Sequence, residues 1–66
     1  MIARNEAVKI QEGDYVETPD HFPIRTGIVR VVSPCGRYAV VEKQYGRKTW
    51  KNRYRIEELK FWKRIL

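Results

Sequence analysis

Few side chains in this sequence are equipped for covalent chemistry. His21 is the single histidine and Cys35 the single cysteine. A structural zinc site takes four Cys, His or carboxylate ligands, so these two do not make one. A Cys–His nucleophilic pair also needs an orienting partner and an oxyanion site, and no motif marks either. Glu57 and Glu58 are adjacent, which does not set two carboxylates across a substrate; turn formation and pairing with Arg55 or Lys60 suit them better. The four glycines, Gly13, Gly27, Gly36 and Gly46, lie at separate connections or strand starts, which is turn chemistry and not a phosphate-cradling loop. The expectation is a binding protein, not an enzyme, with no cofactor and no metal.

The chemistry that remains is ionic. Residues 43–55 hold six cations, Lys43, Arg47, Lys48, Lys51, Arg53 and Arg55, and no acid, with Tyr45, Trp50 and Tyr54 between them. Read as a strand over 47–56, the two-residue side-chain period puts Arg47, Thr49, Lys51, Arg53 and Arg55 on one face. Trp50, Asn52, Tyr54 and Ile56 fall on the other. One face packs a core while the opposite face offers a row of positive charge to a regularly spaced polyanion. A one-residue slip in register would exchange the two faces.

Charge along the chain agrees. The net charge is +6, with four Lys/Arg against five Asp/Glu in residues 1–33 and ten against three in residues 34–66. The whole excess is C-terminal, an electrostatic footprint common among nucleic-acid binders. A solvated basic face that only aids solubility is the plainer alternative. Sixty-six residues make one domain, of which 1–6 are expected to be flexible. Such a domain has a stability of about 3–10 kcal/mol and little room for a buried active site. One cysteine offers no disulfide framework. No apolar run approaches the length of a membrane span and residues 1–9 lack a secretory core, so a soluble, cytoplasmic protein with no membrane partner is expected.

The elements that position the basic row read as short strands. Val8 and Ile10 alternate with Lys9 and Gln11, in a short first strand or an extended lead-in. Glu12-Gly13-Asp14 is a turn, and Asp14–Thr18 a strand centred on Val16. Pro19-Asp20-His21-Phe22-Pro23 is a loop, because each proline restricts itself and its predecessor, with Phe22 expected against the core. Thr26–Ser33 and Arg37–Lys43 are β-branched runs about Pro34-Cys35-Gly36 and form a hairpin. Gln44-Tyr45-Gly46 turns into the basic strand. Ile56-Glu57-Glu58-Leu59 reads as a 3₁₀ turn followed by a closing strand from Lys60 to Ile65. Leu59, Trp62 and Leu66 also share helical spacing; turn plus strand is preferred because it closes a small barrel and removes exposed edges. The fold class is all-β.

The pattern resembles the SH3-like barrels, and within them KOW-type modules and small bacterial accessory proteins. It is carried by Gly13-Asp14-Tyr15-Val16, then Thr26-Gly27-Ile28-Val29-Arg30-Val31-Val32, then Tyr38-Ala39-Val40-Val41-Glu42 and Tyr54-Arg55-Ile56-Glu57-Glu58-Leu59, over residues 12–60. The resemblance implies a five-stranded, partly open barrel with a 3₁₀ turn before the last strand, and partners that are RNA, DNA or protein. Photosynthetic accessory subunits of this fold dock acidic electron carriers. Plasmid-borne dihydrofolate reductases also use it, but their Val-Gln-Ile-Tyr motif is missing here, where Asn52-Arg53-Tyr54-Arg55 stands in the nearest region.

The leading expectation is a nucleic-acid-binding module acting as a monomer or weak homodimer. Arg47, Lys48, Lys51, Arg53 and Arg55 would follow the phosphate backbone, with Lys43, Lys60, Lys63 and Arg64 widening the patch and Tyr45 beside it. Four or five phosphate contacts imply a salt slope of about −4 on duplex. Trp50 and Tyr54 are assigned to the core, against a rival role in stacking on bases; Tyr15, Tyr38, Tyr45 and Trp62 are the better stacking candidates. The alternative is a protein-interaction module that docks an acidic protein on the same cations, with a peptide groove flanked by Tyr15, Phe22 and Trp62.

Overall fold

The computed structural model describes residues 9–64; the expected flexible segment at 1–6 lies outside them. The elements run β1 (Asp14–Glu17), β2 (Thr26–Val32), β3 (Tyr38–Tyr45), β4 (Lys48–Arg55), a 3₁₀ turn (Ile56–Glu58) and β5 (Lys60–Arg64). The described chain is all-β as expected, and its tail is a 3₁₀ turn plus strand, not a helix. The strands form one antiparallel sheet in the order β4-β3-β2-β1-β5.

The connection from β4 to β5 forces that sheet to coil. Lys60 begins β5 beside Glu17, whose other neighbour is Thr26 at the start of β2. Arg55 ends β4 opposite Tyr38, at the far end of the ladder. In a flat sheet the two residues would lie at diagonal corners, about 28 Å apart from spacings of about 4.8 Å between strands and about 3.4 Å per residue. Five peptide units reach at most about 18 Å. Strong twist brings the corners together and wraps the sheet around Ile10, Val16, Val29, Ala39, Val41, Tyr54 and Leu59, with Val32 and Ile56 against them.

Among the described residues no ladder joins β4 to β5, so the hydrogen-bonded closure expected from the sequence is not made there; the described sheet is coiled and open, with β4 and β5 as its edges. Both edges are rich in cations, Lys48, Lys51, Arg53 and Arg55 on one and Lys60, Lys63 and Arg64 on the other. Such side chains discourage a further strand from pairing there.

Two local devices set the register. A bulge in β2 follows Val29↔Val41 with Val31↔Val40, leaving Arg30 as the extra residue. Val29 and Val32 both reach the core, while Arg30 and Val31 stay exposed. The β3–β4 hairpin turns on Gly46–Arg47 after the last pair, Tyr45↔Lys48. Gly46 has φ 63°, a conformation glycine adopts without steric cost. Arg47 is therefore a turn residue and not the first residue of the basic strand.

The loop between β1 and β2 is held by polar bonds. Thr18 donates its N–H to Arg25 O at 2.7 Å, and its hydroxyl reaches Asp20 O and Arg25 O. Phe22 does not tuck against the core as expected; it is 90% exposed. A buried cation anchors the loop in its place.

Candidate nucleic-acid interface

The alternation read from residues 47–56 is realised over β4. Tyr54 is buried opposite Ala39, Trp50 is half-buried opposite Lys43, and Asn52 shares their side of the sheet but stays exposed. Lys51, Arg53 and Arg55 point the other way, all exposed, opposite Glu42, Val40 and Tyr38. Like-facing positions on a strand are about 7 Å apart, so the three make a regular row. The Arg53 guanidinium carbon lies 5.1 Å from the centroid of the Tyr38 ring, within cation–π range.

The protein's own carboxylates occupy little of this row. Glu42 faces Lys51 in register but is taken by Arg30, whose Nε lies 2.8 Å from its Oε1. Arg55 Nη1 is 3.5 Å from Glu57 Oε2, a pair in which both side chains are largely exposed and which is correspondingly weak. Among the described residues, no carboxylate stands within salt-bridge distance of Arg47, Lys48, Lys51, Arg53 or Lys60.

Other proposed contacts fall elsewhere. Arg47 sits at the hairpin tip. Tyr45 and Lys48 pair beside it on the side of the sheet that holds Lys43 and Trp50; Tyr45 is 57% exposed. Lys60 is exposed on β5, at the opposite edge of the sheet. A second aromatic group lies by that edge, where the rings of Tyr15 and Trp62 meet edge to face at 6.0 Å and Lys63 Nζ lies 5.8 Å from the Tyr15 centroid.

Lys43 is the main correction. Its side chain is 1% exposed and takes no part in the outward row. Lys43 shares an inward register with Ala39 and Val41, and its ammonium is consumed inside the protein. Nζ donates to Asp20 Oδ1 at 2.9 Å, Asp20 O at 3.0 Å and Ile24 O at 2.8 Å. The Tyr54 hydroxyl also donates to the Asp20 carboxylate, at 3.0 and 2.9 Å to its two oxygens. An ammonium with three donors and three acceptors is fully satisfied, which makes its burial tolerable. Burial raises the Asp20 pKa, but hydrogen bonds from Lys43, Thr18 and Tyr54 outweigh it and hold the carboxyl below its ordinary value.

A second pair ties β5 to β1. Asp14 has no exposed surface and accepts from Arg64 Nε at 2.8 Å and Nη2 at 3.2 Å, and from Gln11 N at 2.8 Å. The Arg64 hydrogen bond lowers the Asp14 pKa, against the effect of burial, with help from Gln11. Arg64 is thereby committed to structure, despite its sequence-level place in the basic patch. His21 and Cys35 are both exposed, and no cluster of three or more His, Cys, Asp or Glu able to hold a metal occurs among the described residues.

One functional candidate was missed in the sequence. Arg37 sits just before β3, and its carbonyl accepts from Ile56 N at 2.8 Å, which draws it to the end of the basic row. Its only sequence signal was adjacency to Tyr38. No helix is long and apolar enough to cross a membrane among the described residues. No family model matches the chain, and neither the curated proteins nor the solved structures include one with significant similarity to it.

Proposed function

We propose that this chain is a small nucleic-acid-binding module of the SH3-like, KOW-type kind, working in the cytoplasm as a monomer or weak homodimer. The observation that carries this reading is the row Lys51, Arg53 and Arg55, which faces solvent along an edge strand and meets, among the described residues, only the weak Glu57 contact at Arg55. Arg47 and Lys48 extend positive charge to the hairpin tip. The strand order and the 3₁₀ turn before β5 fit the family resemblance, although a fold of this type does not by itself choose a ligand.

Each phosphate neutralised releases counterions, giving a slope of log K against log salt of about −0.9 per contact on duplex and about −0.7 on a single strand. Four contacts therefore give about −4 or about −3. The test is a fluorescence titration of single-stranded DNA, duplex DNA and RNA at several salt concentrations, with the triple variant Lys51→Ala, Arg53→Ala, Arg55→Ala as the control. The variant should stay folded by circular dichroism, bind more weakly and show a slope flatter by about two to three units. An unchanged slope in the folded variant removes β4 as the binding face. Nuclease-resistant capture of one acidic protein, with no affinity for any nucleic acid, would instead select the protein-docking alternative.

A further inference from the structure

At the end of the basic row the surface opens into a cleft of about 570 Å³ lined by Gly36, Arg37, Tyr38, Arg55, Ile56 and Glu57. We propose that this cleft receives one unpaired base of a single-stranded nucleic acid lying along β4, with the base against the Tyr38 ring and the flanking phosphates on Arg53, Arg55 and Arg37. The inference rests on the nucleic-acid reading above and adds to it a strand state and a seat for a base.

Three observations converge on the cleft. It is large enough for a nucleobase and combines an aromatic ring with two guanidinium groups, Arg37 and Arg55. Tyr38 is 36% exposed although it lies within a sheet, because its position in β3 faces away from the core. Arg53 already stands over one face of that ring, 5.1 Å from its centroid, so a cation able to hold a phosphate is in place and a base would enter against the ring surface that Arg53 leaves open. Bases offer a π-face whatever their sequence, and stacking on an aromatic side chain is the usual sequence-tolerant way to hold a single strand. A duplex keeps its bases stacked on one another and so offers no free base face to the ring.

Glu57 is the one acid among the described residues that line the cleft. Its carboxylate lies on the Arg55 guanidinium and not on Tyr38, so it restrains that cation without covering the ring. Ile56 N bonded to Arg37 O fixes the floor between the two arginines. The cleft thus has a pinned backbone beneath exposed side chains.

The test compares three fluorescent probes of equal length: a twelve-residue oligothymidine, the same oligomer with abasic sites in place of most bases, and a duplex. All three present phosphates, but only the first offers unpaired bases. The intact single strand should bind about five- to a hundred-fold more tightly than the abasic one. Tyr38→Ala should erase that ratio without altering the salt slope, while Tyr38→Phe, which keeps the ring, should preserve it. Equal binding of intact and abasic strands, or a ratio that survives Tyr38→Ala, overturns the base seat and leaves the phosphate-row reading standing. Duplex preferred over the intact single strand also overturns it. Failure of every probe to bind takes down the nucleic-acid reading and the base seat together.

Discussion

Replacing Lys43 by methionine separates two kinds of lysine that look alike in the sequence. Methionine keeps a flexible chain of similar length and removes only the charge and its three donors. Three acceptors lose their partner: Asp20 Oδ1, Asp20 O and Ile24 O. Asp20 Oδ1 keeps Tyr54 as a donor and is partly solvated, with its side chain 47% exposed. Asp20 O keeps the Thr18 hydroxyl. Breaking one partner of a buried pair costs about 3–5 kcal/mol, and these remaining partners favour the lower end of that range. A loss of about 3 kcal/mol consumes much of the about 3–10 kcal/mol available to a chain of this size. At about 4–8 °C per kcal/mol, melting should fall by roughly 12–24 °C. Urea denaturation followed by tryptophan fluorescence gives the same quantity at constant temperature. Below the melting range, the nucleic-acid salt slope of this variant should equal that of the parent, because Lys43 is not on the outward row. A loss under about 1 kcal/mol, or a flattened slope in the folded variant, would refute the assignment of Lys43 to a structural clamp.

Three further outcomes are expected. Gly27→Ala should destabilise by about 1–3 kcal/mol in a denaturant titration, because the added Cβ would stand 2.6 Å from Val41 Cγ1 and 2.7 Å from the Glu42 carbonyl, a backbone atom that cannot swing aside. Asp14 and Asp20 both have folded pKa values below their ordinary ones; their contribution is fully present above the unfolded value of about 3.9 and is lost as pH falls through the lower folded values. Melting followed from pH 7 to pH 2 should therefore drop steeply below about pH 4, and Asp14→Asn should be less stable at pH 7 with a shallower acid limb. Glu57→Gln removes the carboxylate that engages Arg55, so binding should tighten by up to about two- to three-fold at low salt; weaker binding by the variant in a fluorescence titration would refute a ligand contact at Arg55 that Glu57 opposes.

How far the sequence could be read depended on whether the deciding partner was close in the chain. The β4 row was legible because Tyr54 and Trp50 alternate with Lys51, Arg53 and Arg55 within one element, and a period of two needs no knowledge of the rest of the molecule. The strands about Val16, Val29 and Val41 were legible for the same reason. Lys43 carried a usable signal, since it falls in step with Ala39 and Val41. What makes its burial possible is Asp20, 23 residues away in a loop with two prolines, and no local pattern announces that meeting. Phe22 misled because apolar character suggests burial, whereas its loop is fastened through Thr18, Asp20 and Ile24. The turn falls at Gly46 and Arg47, later than Gln44-Tyr45-Gly46 suggests, because β3 runs on to Tyr45, and the basic strand begins at Lys48 in place of Arg47. Arg37 was invisible as a site residue because its proximity to Arg55 is made by the hairpin register and the 3₁₀ turn, not by spacing.

The bond between Asp14 and Arg64 has a consequence for biosynthesis. A carboxylate with no access to solvent waits for a guanidinium made fifty residues later. Until that arginine has been translated, β1 lacks its outer neighbour and carries a charge that only water can satisfy. The nascent chain therefore has reason to keep its first strand hydrated and loosely held, with the β2–β3–β4 meander assembling ahead of it through contacts between neighbours. Chains tethered to the ribosome through a C-terminal linker long enough to carry them clear of the exit tunnel, ending before or after residue 64 and probed by limited proteolysis, would reveal whether protection of the first strand arrives in a single late step.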